Sequence, residues 1–226
     1  MTTSGTAAWT PDLVEIAEEV FERCGSELRS GYDLRTFRRS MNALLTEWAS
    51  KGLNLWTLES GSIPLVAGTA TYNLPADTID LLEHTTRTGS ASLQSDIALT
   101  RISVSTYATI PNKNATGRPL QIFVERLNTP RVTLWPVPDA STPYTMVYWR
   151  MRRIQDAGDG TNTPDMPFRF LPALIAGCAY HMALKIPGAL DRLQILEKQY
   201  VDAYDTAAAE DRDKSAVRFV PRSFRM

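Results

Sequence analysis

A nucleophilic hydrolase needs a Ser or Cys within hydrogen-bond reach of an oriented histidine, and this 226-residue chain has two histidines, His84 and His181. No G-x-S-x-G elbow accompanies either. His181 follows Cys178 in a run of helix-spaced apolar residues, where a hydrogen-bonded packing histidine is the simpler role. His84 stands in a β-rich polar segment and is expected on the surface. The two cysteines, Cys24 and Cys178, also have apolar neighbours at helical spacing, which favours buried free thiols over a disulfide or a metal pair.

Carboxylates offer the other route to chemistry. In "DAGDGTNTPD", Asp156, Asp159, Asn162 and Asp165 follow one another at three-residue spacing with glycines between them. A calcium loop needs oxygens at its first, third and fifth positions and an acid at the twelfth, but Gly158 and Gly160 occupy the third and fifth. A turn-rich linker is expected, with no metal. The acids of "LVEIAEEVFE" could include a glycosidase-like pair, which sequence spacing does not exclude, although the solvated face of a helix accounts for them more simply. Neither G-x-G-x-x-G nor G-x-x-x-x-G-K-[ST] occurs, so no nucleotide and no cofactor is expected. Of Trp56, Trp135 and Trp149, which fall in strand segments, only Trp149, in "WRMRR", has basic neighbours of the kind that accompany base stacking. Core or interface roles are expected for all of them.

Composition places the chain among ordinary globular proteins rather than disordered or fibrous ones. At 43% apolar and 22% charged residues it is an ordinary globular sequence, long enough to bury roughly 70% of its unfolded surface. It shows no leader-like segment and no run of 18 apolar residues, so synthesis in a cytosol and no membrane are expected. The net charge of −1 conceals an asymmetry. Residues 212–226 hold five basic side chains and one acid, for a charge of +4, which leaves 19 basic and 24 acidic residues and a charge of −5 on the rest. By these totals the body has no basic surface for nucleic acid, and a protein partner is the better expectation.

The elements follow from periodicity. Thr10-Pro11-Asp12 reads as a helix start, and Leu13, Ile16, Ala17, Val20, Cys24 and Leu28 continue at helical spacing. A second helix, with Asp33 as its cap and Leu34, Phe37, Met41, Leu44, Leu45 and Trp48 on its stripe, ends at Gly52. From Leu53 the period changes to two, and strands are expected over "LNLWTLESGSIPLVAGTATYNLP", "DTIDLLEHTTRTG" and "SLQSDIALTRI". A turn or two of helix is expected in "ISVSTYATIP". In "GRPLQIFVERLNTPRVTLWPVPD" two strands flank Asn128-Thr129-Pro130, and Pro136 and Pro138 must end the second strand or put it at an edge. Trp135, just before them, is expected to be a buried anchor. After the β-rich "YTMVYWRMRRIQ", a third helix runs from Pro167 to Pro187-Gly188 with Phe168, Leu171, Leu174, Ile175, Cys178 and Met182 on its stripe. A fourth carries Leu190, Leu193, Leu196, Tyr200, Ala203, Tyr204 and Ala207. The expected class is α+β: an antiparallel bundle of about four helices with an inserted antiparallel β domain and an extended C-terminal tail. The divisions are 1–52, 53–162, 163–211 and 212–226.

The order and spacing of "LTEWASKGLNLWTLESGSIPLVAGTATYNLP", of "TGRPLQIFVERLNTPRVTLWPVPD" with "YTMVYWRMRRI", and of "MPFRFLPALIAGCAYHMAL" resemble the head-to-tail adaptors of short-tailed bacteriophages, over roughly residues 11–211. The resemblance implies a non-enzymatic virion protein at the head-tail junction, assembled in the host cytoplasm. It implies a ring of twelve copies beneath the portal that extends the DNA channel and receives the tail nozzle or tail tube. DNA would pass during ejection without sequence-specific binding. The hairpin ending at Trp135, Pro136 and Pro138 would then be a rigid wall. The C-terminal segment would be the portal-docking arm, unpaired in the free subunit, with Arg212, Lys214, Arg218, Arg222 and Arg225 supplying charge and Val217, Phe219, Val220 and Phe224 supplying apolar anchors. A cell-wall-degrading virion enzyme and a cytosolic interaction domain stay as alternatives. The first would lose its activity on a single acid-to-amide change, and the second would stay monomeric.

Overall fold

The computed structural model describes residues 5–6, 9–29, 31–52 and 55–212, and the chain divides into two compact units: helical, residues 1–47 with 155–226, and β-rich, residues 48–154. In chain order the first elements are helices α1 (Leu13–Arg23) and α2 (Gly31–Lys51), then strands β1 (Leu58–Pro64), β2 (Thr71–Asn73), β3 (Thr78–Thr88), β4 (Ser95–Ala98) and β5 (Thr100–Ile102). A short helix α3 (Val104–Ala108) precedes β6 (Thr116–Gly117), β7 (Gln121–Glu125), β8 (Arg131–Trp135), β9 (Val137–Pro138) and β10 (Tyr144–Arg152). Helices α4 (Leu171–Ala183) and α5 (Leu193–Glu210) close the described chain. The class is α+β.

Helix α1 begins two residues later than its sequence signal. Its cap is Asp12 rather than Thr10, because Glu15 completes a capping box: Asp12 Oδ1 accepts from Glu15 N at 2.9 Å and Glu15 Oε2 accepts from Asp12 N at 3.3 Å. Two more orphan donors of this helix end, Leu13 N and Val14 N, reach the carbonyls of Asn162 and Gly160 at 3.0 and 3.3 Å. The carboxylate loop thus serves as part of the helix start. Two of its acids are turned onto nearby backbone, with Asp156 Oδ1 accepting from Gly158 N and Asp165 Oδ2 from Gln155 N, both at 3.0 Å, while Asp159 faces Arg38.

Helix α4 is the centre of the helical unit. Its residues Ala173, Leu174, Ala176, Cys178, Ala179, Met182 and Ala183 are all buried, so it is covered on more sides than the single expected stripe. Gly177 is what permits this closeness. A Cβ there would stand 2.8 Å from Leu44 Cδ2 and 2.9 Å from Tyr200 Cε2, so α2 and α5 crowd the same point. Phe168 and Leu190, both expected on apolar stripes, are instead exposed, because each lies in a 3-10 turn that precedes its helix.

In the β unit, one four-stranded sheet has the order β1-β10-β3-β4 with antiparallel neighbours, and a second has the order β2-β8-β7-β5. The expected antiparallel pattern has two exceptions: β5 runs parallel to β7, and β6 runs parallel to β9. Both join segments distant in sequence, which local alternation does not report. Leu74, Leu81, Leu99, Ile122, Val132, Leu134, Met146 and Tyr148 form the core of this unit, most of them from the inward positions of its strands and Leu74 and Leu99 from the residues next to them. No helix among the described residues is long and apolar enough to cross a membrane.

Candidate functional site

The hairpin of β7 and β8 is pinned at its loop end. Opposite Glu125 in the register stands Arg131, whose Nε and terminal nitrogen donate to the two carboxylate oxygens at 2.6 and 2.9 Å. At the other end, Trp135 is half-buried rather than the buried anchor expected, and its indole Nε1 donates to Asn112 O at 3.0 Å. Beyond Pro136 the chain re-enters a ladder as β9, where Val137 N donates to Ala115 O and Pro138 O accepts from Gly68 N, both at 2.9 Å. Pro138 has no donor to lose in this edge pairing. The segment of Trp135, Pro136 and Pro138 is therefore flanked by backbone bonds on both sides.

Close by, the segment Gly68-Thr69-x-x-Tyr72-x-Leu74-Pro75 is held by its own hydrogen bonds. Gly68 takes a φ of +80°, and the turn it makes is held by the Tyr72 hydroxyl, which accepts from Val66 N at 2.8 Å and donates to Thr69 O at 2.9 Å. Leu74 then enters the core while its amide donates to Pro130 O at 2.9 Å, joining this turn to the hairpin loop.

The densest charge of the β unit lies on β10. Arg150 donates to Asp77 at 2.6 Å and to Glu59 at 2.8 Å, and Arg152 donates to the other Glu59 oxygen at 2.7 Å. Being two apart, both arginines leave one face of the strand, and register shifts on either side of the pair Arg150-Met151 adjust their aim. The hydrogen bond from Arg150 holds the Asp77 carboxyl below the usual carboxylate range, against some burial. Burial opposes the charge on Arg150 itself, but its bonds to Asp77 and Glu59 outweigh that and raise its pKa. These arginines are thus committed to carboxylates, and Trp149, half exposed just before Arg150, has no neighbouring free cation from this strand.

The remaining titratable candidates resolve into packing. Cys24 Sγ lies 3.4 Å from Ala179 O; burial pushes its thiol up to about 11, with Arg192 pulling the other way. Burial alone raises Cys178. Both cysteines are free and poor nucleophiles. His181 Nε2 sits 3.4 Å from Glu47 and its ring stands edge-on to Tyr180. His84 is half-buried rather than on the surface, and its Nε2 is buried without a hydrogen-bond partner. Burial first, then Arg101, lower its pKa, while Glu83 and Asp80 pull it up. No group of three metal-ligating side chains occurs among the described residues.

In the helical unit, Glu15, Glu18, Glu19 and Glu22 rim a groove of about 550 Å³ floored by Ile16, Pro172 and Ile175. Of the nine residues expected to bind a portal, Arg212 is exposed, while Lys214, Val217, Arg218, Phe219, Val220, Arg222, Phe224 and Arg225 lie outside the described residues. One feature escaped the sequence reading. Tyr32, Arg35, Arg38, Arg39 and Asn42 gather on one side of α2, a basic face that whole-chain totals cannot reveal. Its signal was present in "YDLRTFRRSMN", where these residues fall at helical spacing.

The model of a family described as SU10 adaptor protein matches residues 12–222. No curated protein matches this chain. Among solved structures, the chain is similar to one titled "Neck of empty GTA particle computed with C6 symmetry", at 12% identity over 85% of this chain and 92% of that one, with a TM-score of 0.27.

Proposed function

The chain belongs to the SU10 adaptor protein family and is a structural head-to-tail adaptor; from that premise we propose that it forms a closed ring of twelve copies beneath the portal of a tailed virion. The ring extends the DNA channel and presents a docking platform to the tail nozzle or tail-tube protein. It assembles in the host cytoplasm and lets DNA through on ejection without reading its sequence. The observation that carries the reading is the family match over nearly the whole chain, residues 12–222.

The chemistry of the side chains favours a non-enzymatic role. Two of the three carboxylates of the 156–165 loop, Asp156 and Asp165, are turned onto backbone amides, the thiols are held protonated, and the strongest charges of the β unit neutralise one another. What the geometry supplies instead is stiffness, in the hairpin pinned at Glu125-Arg131 and at Trp135.

Residues 212–226 are the portal-docking arm in this proposal. Their charge of +4 against −5 on the rest, with Val217, Phe219, Val220 and Phe224 between the arginines, suits a segment that docks into an acidic groove of another chain. Heads that carry portal but lack this protein, incubated with the full-length chain and imaged by negative stain, should gain a ring at the portal vertex. Heads that stay bare would refute the adaptor reading. Addition undiminished by ending the chain at Asp211 would refute the arm alone.

A further inference from the structure

Two exposed faces of the helical unit carry opposite charges that are only partly compensated among the described residues. On α2, Arg35 and Arg39 are exposed and meet no carboxylate among the described residues: Arg35 Nε reaches only Gly31 O at 3.4 Å, and Arg39 only Thr36 Oγ1 at 3.2 Å. Arg38 beside them has a loose partner in Asp159 at 3.8 Å, and its own Nε is buried with no hydrogen bond. Tyr32, 66% exposed, stands at the start of this face. On α1, Glu19 is paired with Arg23 at 2.7 Å and Glu15 serves the helix cap, but Glu18 and Glu22 have no cation among the described residues. These acids crowd one side of a short helix where like charges repel. Trp9, 68% exposed, lies at the groove they rim.

We infer that these two faces are the halves of a single contact, in which the basic face of α2 on one copy of the chain docks on the acidic groove of α1 and α4 on the next. The two faces share no residue, so a single copy offers both at once. A contact between two different patches is heterologous, and repeated around an axis it closes a ring. The partner is a second copy because the complement of each face is present on the chain itself. Each half also brings an exposed aromatic of the kind that anchors interfaces, Tyr32 on one side and Trp9 on the other, with apolar Ile16, Pro172 and Ile175 on the groove floor. A nucleic acid would engage the basic face but be repelled by the acidic one. The inference rests on the ring reading above and says which surfaces make the ring.

The test uses two full-length variants whose changes are all on exposed helix positions. In one, Glu18→Arg with Glu22→Arg makes both faces basic; in the other, Arg35→Glu with Arg39→Glu makes both acidic. Each alone should lose ring assembly on portal by about tenfold or more, since like charges then meet. An equal mixture should assemble, because the two kinds can alternate around the ring. Raising salt to about 1 M, where the screening length is about 3 Å, should weaken the wild-type ring. The interface is overturned if either variant assembles alone as well as wild type, or if the mixture is as inactive as its parts. It is also overturned if the Arg35→Glu, Arg39→Glu chain loses only binding to duplex DNA in a gel-retardation assay. Should wild-type chain itself form no ring on portal, the ring reading fails, and the two failures are distinct.

Discussion

The two units treat charge in opposite ways. The β unit turns it inward or across its strands: Arg150 and Arg152 onto Glu59 and Asp77, Arg131 onto Glu125, Arg87 onto Asp96 and Arg101 onto Asp80. The helical unit keeps its core apolar around α4 and leaves Arg35, Arg39, Glu18 and Glu22 facing outward without ionic partners among the described residues. Strands whose faces are only half covered need cross-strand pairs to fix their register, and opposite charges serve that end. Helices packed through a buried centre do not need such pairs. Charge in the β unit is therefore largely structural, whereas the helical unit pairs Arg169 with the buried Asp211 and Arg23 with Glu19 but leaves these four side chains available to a neighbour.

The largest effect expected is one of packing in the helical unit. Phe37 is fully buried, and Phe37→Ala should cost roughly 3 to 5 kcal/mol in denaturant unfolding. A loss below about 1 kcal/mol would mean that α2 is not held by its apolar stripe. The next largest concerns charge in the β unit. Arg150→Ala leaves Asp77 and Glu59 facing each other without their shared donor, and because both acids are nearly half exposed the cost should be about 1 to 3 kcal/mol. Arg150→Met costing as little as a surface change would show that the network contributes nothing to the fold.

A smaller effect should appear on acidification, through two groups of the β unit. The folded pKa of His84 is lowered, so its unfolded form gains protons first: stability should fall as pH drops below about 6.5 and level off below the depressed folded value. Asp77 also has a lowered folded pKa, so its contribution is present above about 4 and is lost as pH falls through that lower value. Thermal melts of wild type and His84→Leu between pH 7 and 5 separate the two, since the variant should lose only the first slope. Identical slopes would remove His84 from the account. The smallest effect is the sharpest contrast with Arg150. Arg39→Glu should change stability by no more than about 0.5 kcal/mol, because its side chain is exposed and holds no carboxylate.

What the sequence disclosed follows the same division. Helical spacing found α1, α2, α4 and α5, since each has an apolar stripe that local counting detects, and the hairpin of β7 and β8 was evident from alternation around Asn128-Thr129-Pro130. The helix start moved from Thr10 to Asp12 because a capping box depends on Glu15, three residues on. The parallel pairings of β5 with β7 and β6 with β9 were not legible, being set by tertiary placement rather than by local pattern. Nor was the half burial of Trp135, which depends on Asn112 lying beside it. The basic face of α2 was hidden by summation: a chain of net charge −1 was read as lacking one, though three arginines between positions 35 and 39 share a side of the helix.

The central claim is that this chain is an adaptor that rings a portal. Native mass measurement of isolated portal, before and after incubation with excess full-length chain, tests it most directly. The account predicts a single new species, heavier by a whole ring of twelve chains, with no stable partial occupancy once the chain is in excess. A portal whose mass does not change, or one that takes up chains singly without reaching a closed number, would contradict it.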